Sequence, residues 1–488
     1  MRRQRRGQSR GANPGRPKAS RSVLAQPESR RFFIVLFLSI AAALLNDFRI
    51  DKHLSADGVL YFTSILDSGD FYRVDATRRF AEYATQWPLV LAVRAGLSNV
   101  PALSAVYALG LFLPVVFGFA ICLFAVRGER ATPLCLPLLV LATVSLPSDY
   151  ILAGEHHVMT LLASPILLLI LRRSSPTAWD GIALVSCLAV FTRTYPSAVA
   201  SAFLFAVLIT YRLISERSDH RAALIRGVAL LLCLATLVLG TSAILNPRDL
   251  NNREQFWKVL AVILVQPEIV LVTAASTLFL IGLAIRLRTG QMAASILAAS
   301  SLALSLPYVL GARYGLSAHQ SVAARTLTAT LLPTLLLLAV LVHVCAPRLS
   351  GFPKVLLAGI VLTVVAGSFV HSAHWARYRG AMKDVLRTAR GFVPVERTRL
   401  LDNPCRWGWA SPGLSVVWSF PVVRAIVENP RGEPWVPFDP RLKLLLQKYV
   451  RYDPVFAGVD PGARIEQVSR KQVQGEVPVP VGRARPSD

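Results

Sequence analysis

The sequence predicts a mainly α-helical, polytopic membrane protein, and three observations predict it. Hydrophobic residues fill 53% of the 488 positions and charged residues only 17%, with a mean hydropathy of +0.49. That is too apolar for a soluble chain of this length. The apolar residues fall in successive runs separated by short polar segments. The 53 Lys and Arg against 28 Asp and Glu give a net charge of +25, yet the basic residues sit in tails and short loops between apolar runs, not on one folded basic module. Such a distribution reads as an orientation signal and as contact with anionic membrane lipids. It gives no support to a nucleic-acid role.

Taken in order, the chain opens with a basic segment, 1–31, whose ten Arg and Lys residues end directly at the apolar run 32–45. No convincing small-residue cleavage site follows, so the run is read as a retained first span behind a disordered cytoplasmic tail. The basic flank places the N-terminus inside. The polar segment 46–86 is then an outer loop, periplasmic in a bacterium-like cell. Further spans are expected at 104–126, 133–146, 158–171, 181–195, 197–213, 222–245, 259–285, 292–310, 326–345 and 355–370, about eleven in all. Every inner loop this topology creates carries Arg or Lys. Residues 32–371 form the transmembrane part, 372–457 a small periplasmic module of mixed structure rich in Trp and Pro-bounded turns, and 458–488 a disordered tail. Cys122, Cys135, Cys187, Cys233 and Cys345 lie in apolar runs as small buried hydrophobes, and Cys405 alone lies in a polar region. No metal-ligand spacing of Cys and His occurs.

The outer loop 46–86 concentrates acid: Asp47, Asp51, Asp57, Asp67, Asp70, Asp75 and Glu82 are seven of the 28 carboxylates in the chain. Within it Leu60, Phe62, Ile65 and Leu66 follow helical spacing, which predicts an amphipathic helix with Asp57 at its N-terminus. There a carboxylate either caps the first N–H groups or serves as a base at the mouth of a membrane cavity. The second outer loop carries Glu155, His156 and His157. Later ones carry Arg193, Arg313, His319, Gln320 and Arg325. Each of these also has a plainer reading, as a polar turn, a snorkelling cation or a solvated loop residue. Glu268, beside Pro267, is either an intramembrane acid or a sign of a misplaced span. Together, acids, histidines and arginines on one membrane face suit group transfer from an anionic lipid carrier. Such transfer needs a base for the acceptor hydroxyl and cations for the leaving phosphate.

A first span, then an outer loop with Asp57 and, four residues on, Tyr61, then the Gly69-Asp70-Phe71 turn, resembles the GT-C superfamily of polyprenyl-phosphate-dependent membrane glycosyltransferases. Gly58 stands where many members have a second acid. The resemblance implies inverting transfer of a sugar from a polyprenyl-phosphate donor to a periplasmic glycan or lipid acceptor at the cell inner membrane. It implies Asp57 as the catalytic base and Glu155 as a second acid or metal ligand. Asp51, Tyr61, His156, His157, Arg193, Arg313, His319, Gln320 and Arg325 would then line the substrate, with Arg313 or Arg325 on the donor phosphate. Members differ in metal dependence, so a divalent ion stays open as a cofactor. The alternative from another class is a transporter or flippase of a lipid-linked or amphiphilic substrate. That class favours charged or broken positions near the midplane, whereas here polar groups gather in outer loops.

Overall fold

A computed structural model describes residues 27–55, 57–73, 78–129, 131–146, 155–172, 177–194, 198–215, 220–245, 332–345, 354–394, 411–427 and 449–456. Those residues are mostly helical. Among the described residues five helices are long and apolar enough to cross a membrane, over Arg30–Arg49, Val100–Ala125, Ala198–Ser215, His220–Leu245 and Leu357–Thr388. Shorter apolar helices over Thr132–Ser145, His157–Leu171 and Ala178–Phe191 accompany them. The spans expected at 259–285 and 292–310, with Glu268, lie outside the described residues.

The elements are α1 (Pro27–Arg49), α2 (Asp57–Ser68), α3 (Arg79–Arg94), α4 (Val100–Ala125), α5 (Cys135–Val140), α6 (Glu155–Leu171), α7 (Ala178–Phe191), α8 (Ala198–Ser215) and α9 (His220–Leu245). They continue with α10 (Leu332–Cys345), α11 (Lys354–Thr388) and α12 (Ser411–Trp418). Two short parallel pairs close the set: β1 (Gly391–Val393) with β3 (Ala425–Val427), and β2 (Val422–Val423) with β4 (Arg451–Tyr452). The segment expected as an outer loop at 46–86 is largely helical, formed by the end of α1, a 3₁₀ turn at Lys52–Leu54, α2 and the first half of α3.

Local chemistry explains the helix boundaries. The Asn99 side chain accepts from the Ala102 N–H at 3.0 Å and Pro101 follows at the second helical position, which starts α4. Thr177 and Asp180 form a reciprocal capping box at the start of α7. Close packing fixes how helices cross. A Cβ at Gly110 would collide with the Thr85 carbonyl oxygen, so glycine is what lets α3 and α4 lie against each other. Phe37 of α1 stacks on Phe119 of α4 with ring centroids 4.0 Å apart.

One end of the bundle is basic. Arg30 at the start of α1 donates to the Val126 carbonyl at 3.1 Å. Arg212 donates to the Arg172 and Leu171 carbonyls at 2.6 and 3.1 Å, and Arg226 to the Arg212 carbonyl at 3.4 Å. Arg127 and Arg172 both pair with Asp180. These guanidiniums satisfy carbonyls that the ends of α4, α6 and α8 leave without an intrahelical partner. Leu224, Leu231, Val238 and Leu245, seven apart on α9, form an exposed apolar stripe among the described residues, as a lipid-facing helix would.

The other end is where the first and last of the long described helices meet. α11 runs 35 residues, about 52 Å at 1.5 Å per residue, well beyond the ~30 Å hydrocarbon core. It continues as helix past the expected end of that apolar run at 370. Ser368 and Ser372 both donate to the Asp47 carboxylate, and Asp47 pairs with Lys52 at 3.4 Å, both side chains fully buried. The Trp375 indole N–H donates to the Ile50 carbonyl at 3.0 Å. Removing one partner of such a pair strands a charge, so Asp47→Ala is expected to destabilise the protein by about 3–5 kcal/mol. Asp47→Ala with Lys52→Met should recover most of that loss, as read from detergent-solubilised thermal unfolding. Equal stability of wild type and Asp47→Ala would refute the role given to the pair.

Candidate functional site

The acid-bearing segment after α1 is held under α11 and α12. Asp51 sits in the left-handed region, φ 59°, one of the few side chains that tolerate it. Its half-buried carboxylate pairs with Arg379 of α11 at 2.6 Å. Burial lifts the Asp51 carboxyl above its ordinary value, against the pull of Arg379 and Lys383, with Trp418 of α12 beside it. Trp418 also meets Trp375 edge-on at 5.9 Å and Tyr378 at 6.4 Å. Ser368, Ser372, Trp375 and Arg379 thus follow one face of α11.

Asp57 opens α2 and is half-buried, while the helix behind it is buried through most of its length. Tyr61, one turn on, is buried and packs against Tyr72 at 5.1 Å. Beneath the start of α2 lie Tyr107 and His53. Their rings are 6.0 Å apart, and Tyr107 is within electrostatic reach of Asp57. The His53 Nε2–H donates to the Ser104 carbonyl at 3.2 Å and lies 3.0 Å from the Ser104 hydroxyl. His53 Nδ1 and the Tyr107 hydroxyl are both buried, with no hydrogen-bond partner among the described residues.

The remaining expected residues are spread more widely. His157 is buried inside the bundle, its Nε2–H donating to the Leu111 carbonyl and its Nδ1 accepting from Ser145, each at 3.2 Å. Both ring nitrogens are thereby used. Glu155 and His156 begin α6, but their side chains lie outside the described residues. Arg193, just past α7, places its guanidinium 5.7 Å from the centre of the Phe80 ring, and its carbonyl accepts from the Phe80 N–H. Arg313, His319, Gln320 and Arg325 lie outside the described residues. Among the described residues no group of three or more His, Cys, Asp or Glu side chains is arranged to hold a metal ion.

Sequence reasoning passed over His53, Arg379 and a cleft. The cleft, about 710 Å³, is lined by Asp70, Phe71, Arg73, Phe80, Tyr83, Ala84, Trp87, Arg94 and Val190. Its wall is the turn after α2. Gly69 takes φ +65°, its carbonyl accepts from Arg94 at 2.9 Å, and the Gln86 amide brackets the Tyr72 backbone at 2.9 and 3.3 Å. The signals were present as spacing: 368, 372, 375 and 379 along the last span, and 80, 83, 87 and 94 along α3.

The chain matches no family model, no curated protein and no solved structure. Fold and site together define a mostly helical protein with helices long and apolar enough to cross a membrane, whose acid-bearing segment is clamped by the last long helix among the described residues.

His53 supplies a test of this packing. Burial lowers its imidazole from the ordinary 6.5 to about 3, so the unfolded chain takes up the proton first as pH falls. Its contribution is complete above pH 6.5 and is lost on descending toward pH 3. Between pH 7 and pH 5 the loss is about 2 kcal/mol. Asp51, raised, acts with opposite sign: its contribution is complete below the ordinary 3.8 and is lost as pH rises from there through its shifted value. Comparing unfolding midpoints of wild type and His53→Gln across this range isolates the histidine. The wild type should lose stability more steeply on acidification, and parallel curves would contradict the assignment.

Proposed function

We propose that the protein is an integral-membrane glycosyltransferase that moves a sugar from a polyprenyl-phosphate donor to a glycan or lipid acceptor, with inversion at the anomeric carbon. The observation that carries this reading is the convergence at one end of the bundle. There Asp57, at the half-buried start of α2, stands on the same short segment as Asp51, and Arg379 arrives from α11. This is the segment on which the resemblance to GT-C enzymes rests. Asp57 takes the proton of an acceptor hydroxyl. The acceptor oxygen bonds to the anomeric carbon, the carbon–oxygen bond to the phosphate breaks, and the polyprenyl phosphate leaves with the electron pair. Cations on the same side meet the charge that develops on it, with Arg193, Arg313 and Arg325 proposed for this part.

The full topology belongs to the same proposal: about eleven spans, a cytoplasmic N-terminus, and a periplasmic module after α11 at the inner membrane. Arginines at one end of the helices and acids at the other support that polarity. The unlike reading, a transporter or flippase, draws on the fully buried Asp47–Lys52 pair, since charges at depth accompany transport pathways. That pair lies at the junction of α1 and α11, where the serines of α11 already account for it.

The test is transfer from a panel of labelled polyprenyl-phosphate sugars in membranes carrying wild type or Asp57→Asn. Asparagine keeps the shape and capping capacity of the side chain but is no base. Wild type should transfer from at least one donor, and the variant, inserted at equal level, should be about 10²-fold slower or worse. Equal rates would remove Asp57 from the mechanism. Transfer from no donor, together with uptake or flipping of a lipid-linked sugar, would replace the transferase reading with the transporter.

A further inference from the structure

The cleft along α3 is separate from Asp57. Phe80, Tyr83, Ala84, Trp87 and Arg94 share one face of α3, and fourteen residues separate the first from the last, so the trough runs about 21 Å. At one end Arg193 lies over Phe80, with Val190 of α7 beside it. At the other, Asp70 is held between two guanidiniums, Arg94 at 2.9 Å and Arg73 at 3.2 Å, all three side chains about half exposed. Between the ends the floor is aromatic: Phe71 meets Tyr83 edge-on at 4.7 Å, and Trp87 is 44% exposed.

We propose that this trough binds a linear, neutral glycan chain several sugar rings long. Three features of the geometry point there. Tyr83 and Trp87 follow one another along the helix at a spacing comparable to a sugar ring, and offer flat apolar surfaces to the C–H faces of successive pyranose rings. The Asp70, Arg73 and Arg94 cluster holds both an acceptor and several donors in fixed orientation, the combination that vicinal hydroxyls need. At that end an anionic headgroup would meet the Asp70 carboxylate set between the two arginines, whereas a pair of hydroxyls finds an acceptor and donors side by side. As the acceptor site of a transferase the trough rests on the function proposed above. Glycan binding itself is measured without transfer.

The experiment uses the full-length protein in phosphatidylcholine nanodiscs, titrated with cellotetraose, maltotetraose and a linear mannotetraose by calorimetry and saturation-transfer NMR. At least one tetrasaccharide is expected to bind. Trp87→Ala should weaken it at least tenfold, and Arg73→Ala should weaken it severalfold. Both side chains are exposed, and circular dichroism and the unfolding midpoint confirm that each variant is folded. Asp57→Asn should bind with wild-type affinity even where transfer is lost, which separates failure of the trough from failure of the catalytic reading. Binding of none of the three sugars, or equal binding by wild type and both variants, overturns the proposal. So does a site that takes phosphatidylglycerol in a Trp87-dependent way and no sugar.

Discussion

The structure hangs on a charge buried where α1 ends. Asp47 and Lys52 are wholly withdrawn from solvent, and a buried carboxylate is tolerated only when its oxygens are occupied. Lys52 and the hydroxyls of Ser368 and Ser372 occupy them. Because the serines are four residues apart on α11, meeting this need sets the rotation of that helix about its axis. Everything else on the same face then follows: Trp375 reaches the Ile50 carbonyl, Arg379 reaches Asp51, and Trp418 packs on Trp375. One electrostatic requirement thus fixes where the first and last of the long described helices meet, and how the acid-bearing segment is presented.

The two ends of the bundle manage charge differently. At the basic end, arginines close off helix carbonyls and share one carboxylate, Asp180. There the guanidiniums work as caps and complement the negative ends of helix dipoles. At the acidic end, carboxylates are held in specific pairs, Asp47 with the nearby Lys52 and Asp51 with Arg379 from the far end of the chain. Part of the large positive charge of the chain is therefore structural, spent on ending helices at a boundary where carbonyls would otherwise be left bare.

Much of the helical layout was legible because apolar runs and their basic flanks are local properties. The runs at 197–213 and 222–245 became α8 and α9 within a few residues of their expected limits. The segment 46–86 was less legible. Its acids suggested a loop, yet Glu82 and Gln86 are buried, and the stretch around Pro88 folds as α3. Polar residues read one at a time did not reveal which side of the helix they face. The site divides in the same way. The Asp51–Asp57 segment was visible as an acidic cluster beside a helix start. Arg379 was not tied to it, because the two come from opposite ends of the chain and nothing local to either announces the other. His157 illustrates the converse: beside Glu155 and His156 it looked like part of a polar triad, but Ser145 and the Leu111 carbonyl claim both its nitrogens.

Asp57 and the trough stand at opposite ends of one helix, and that spacing has a chemical consequence. α2 runs from Asp57 to Ser68, so the carboxylate and the turn that walls the trough are about 16 Å apart along the helix axis. The helix is buried along most of its length, with Thr63 bonded back to its own turn and Tyr61 packed on Tyr72. It acts as a rigid spacer and not as a hinge. On the proposed reading, no single sugar ring can reach from Asp57 to the Asp70 turn. A chain long enough to lie along α3 could place its end near the base while its body remains on the aromatic floor. Binding energy gained far from the reacting hydroxyl would then orient that hydroxyl, and short acceptors would lose rate as well as affinity.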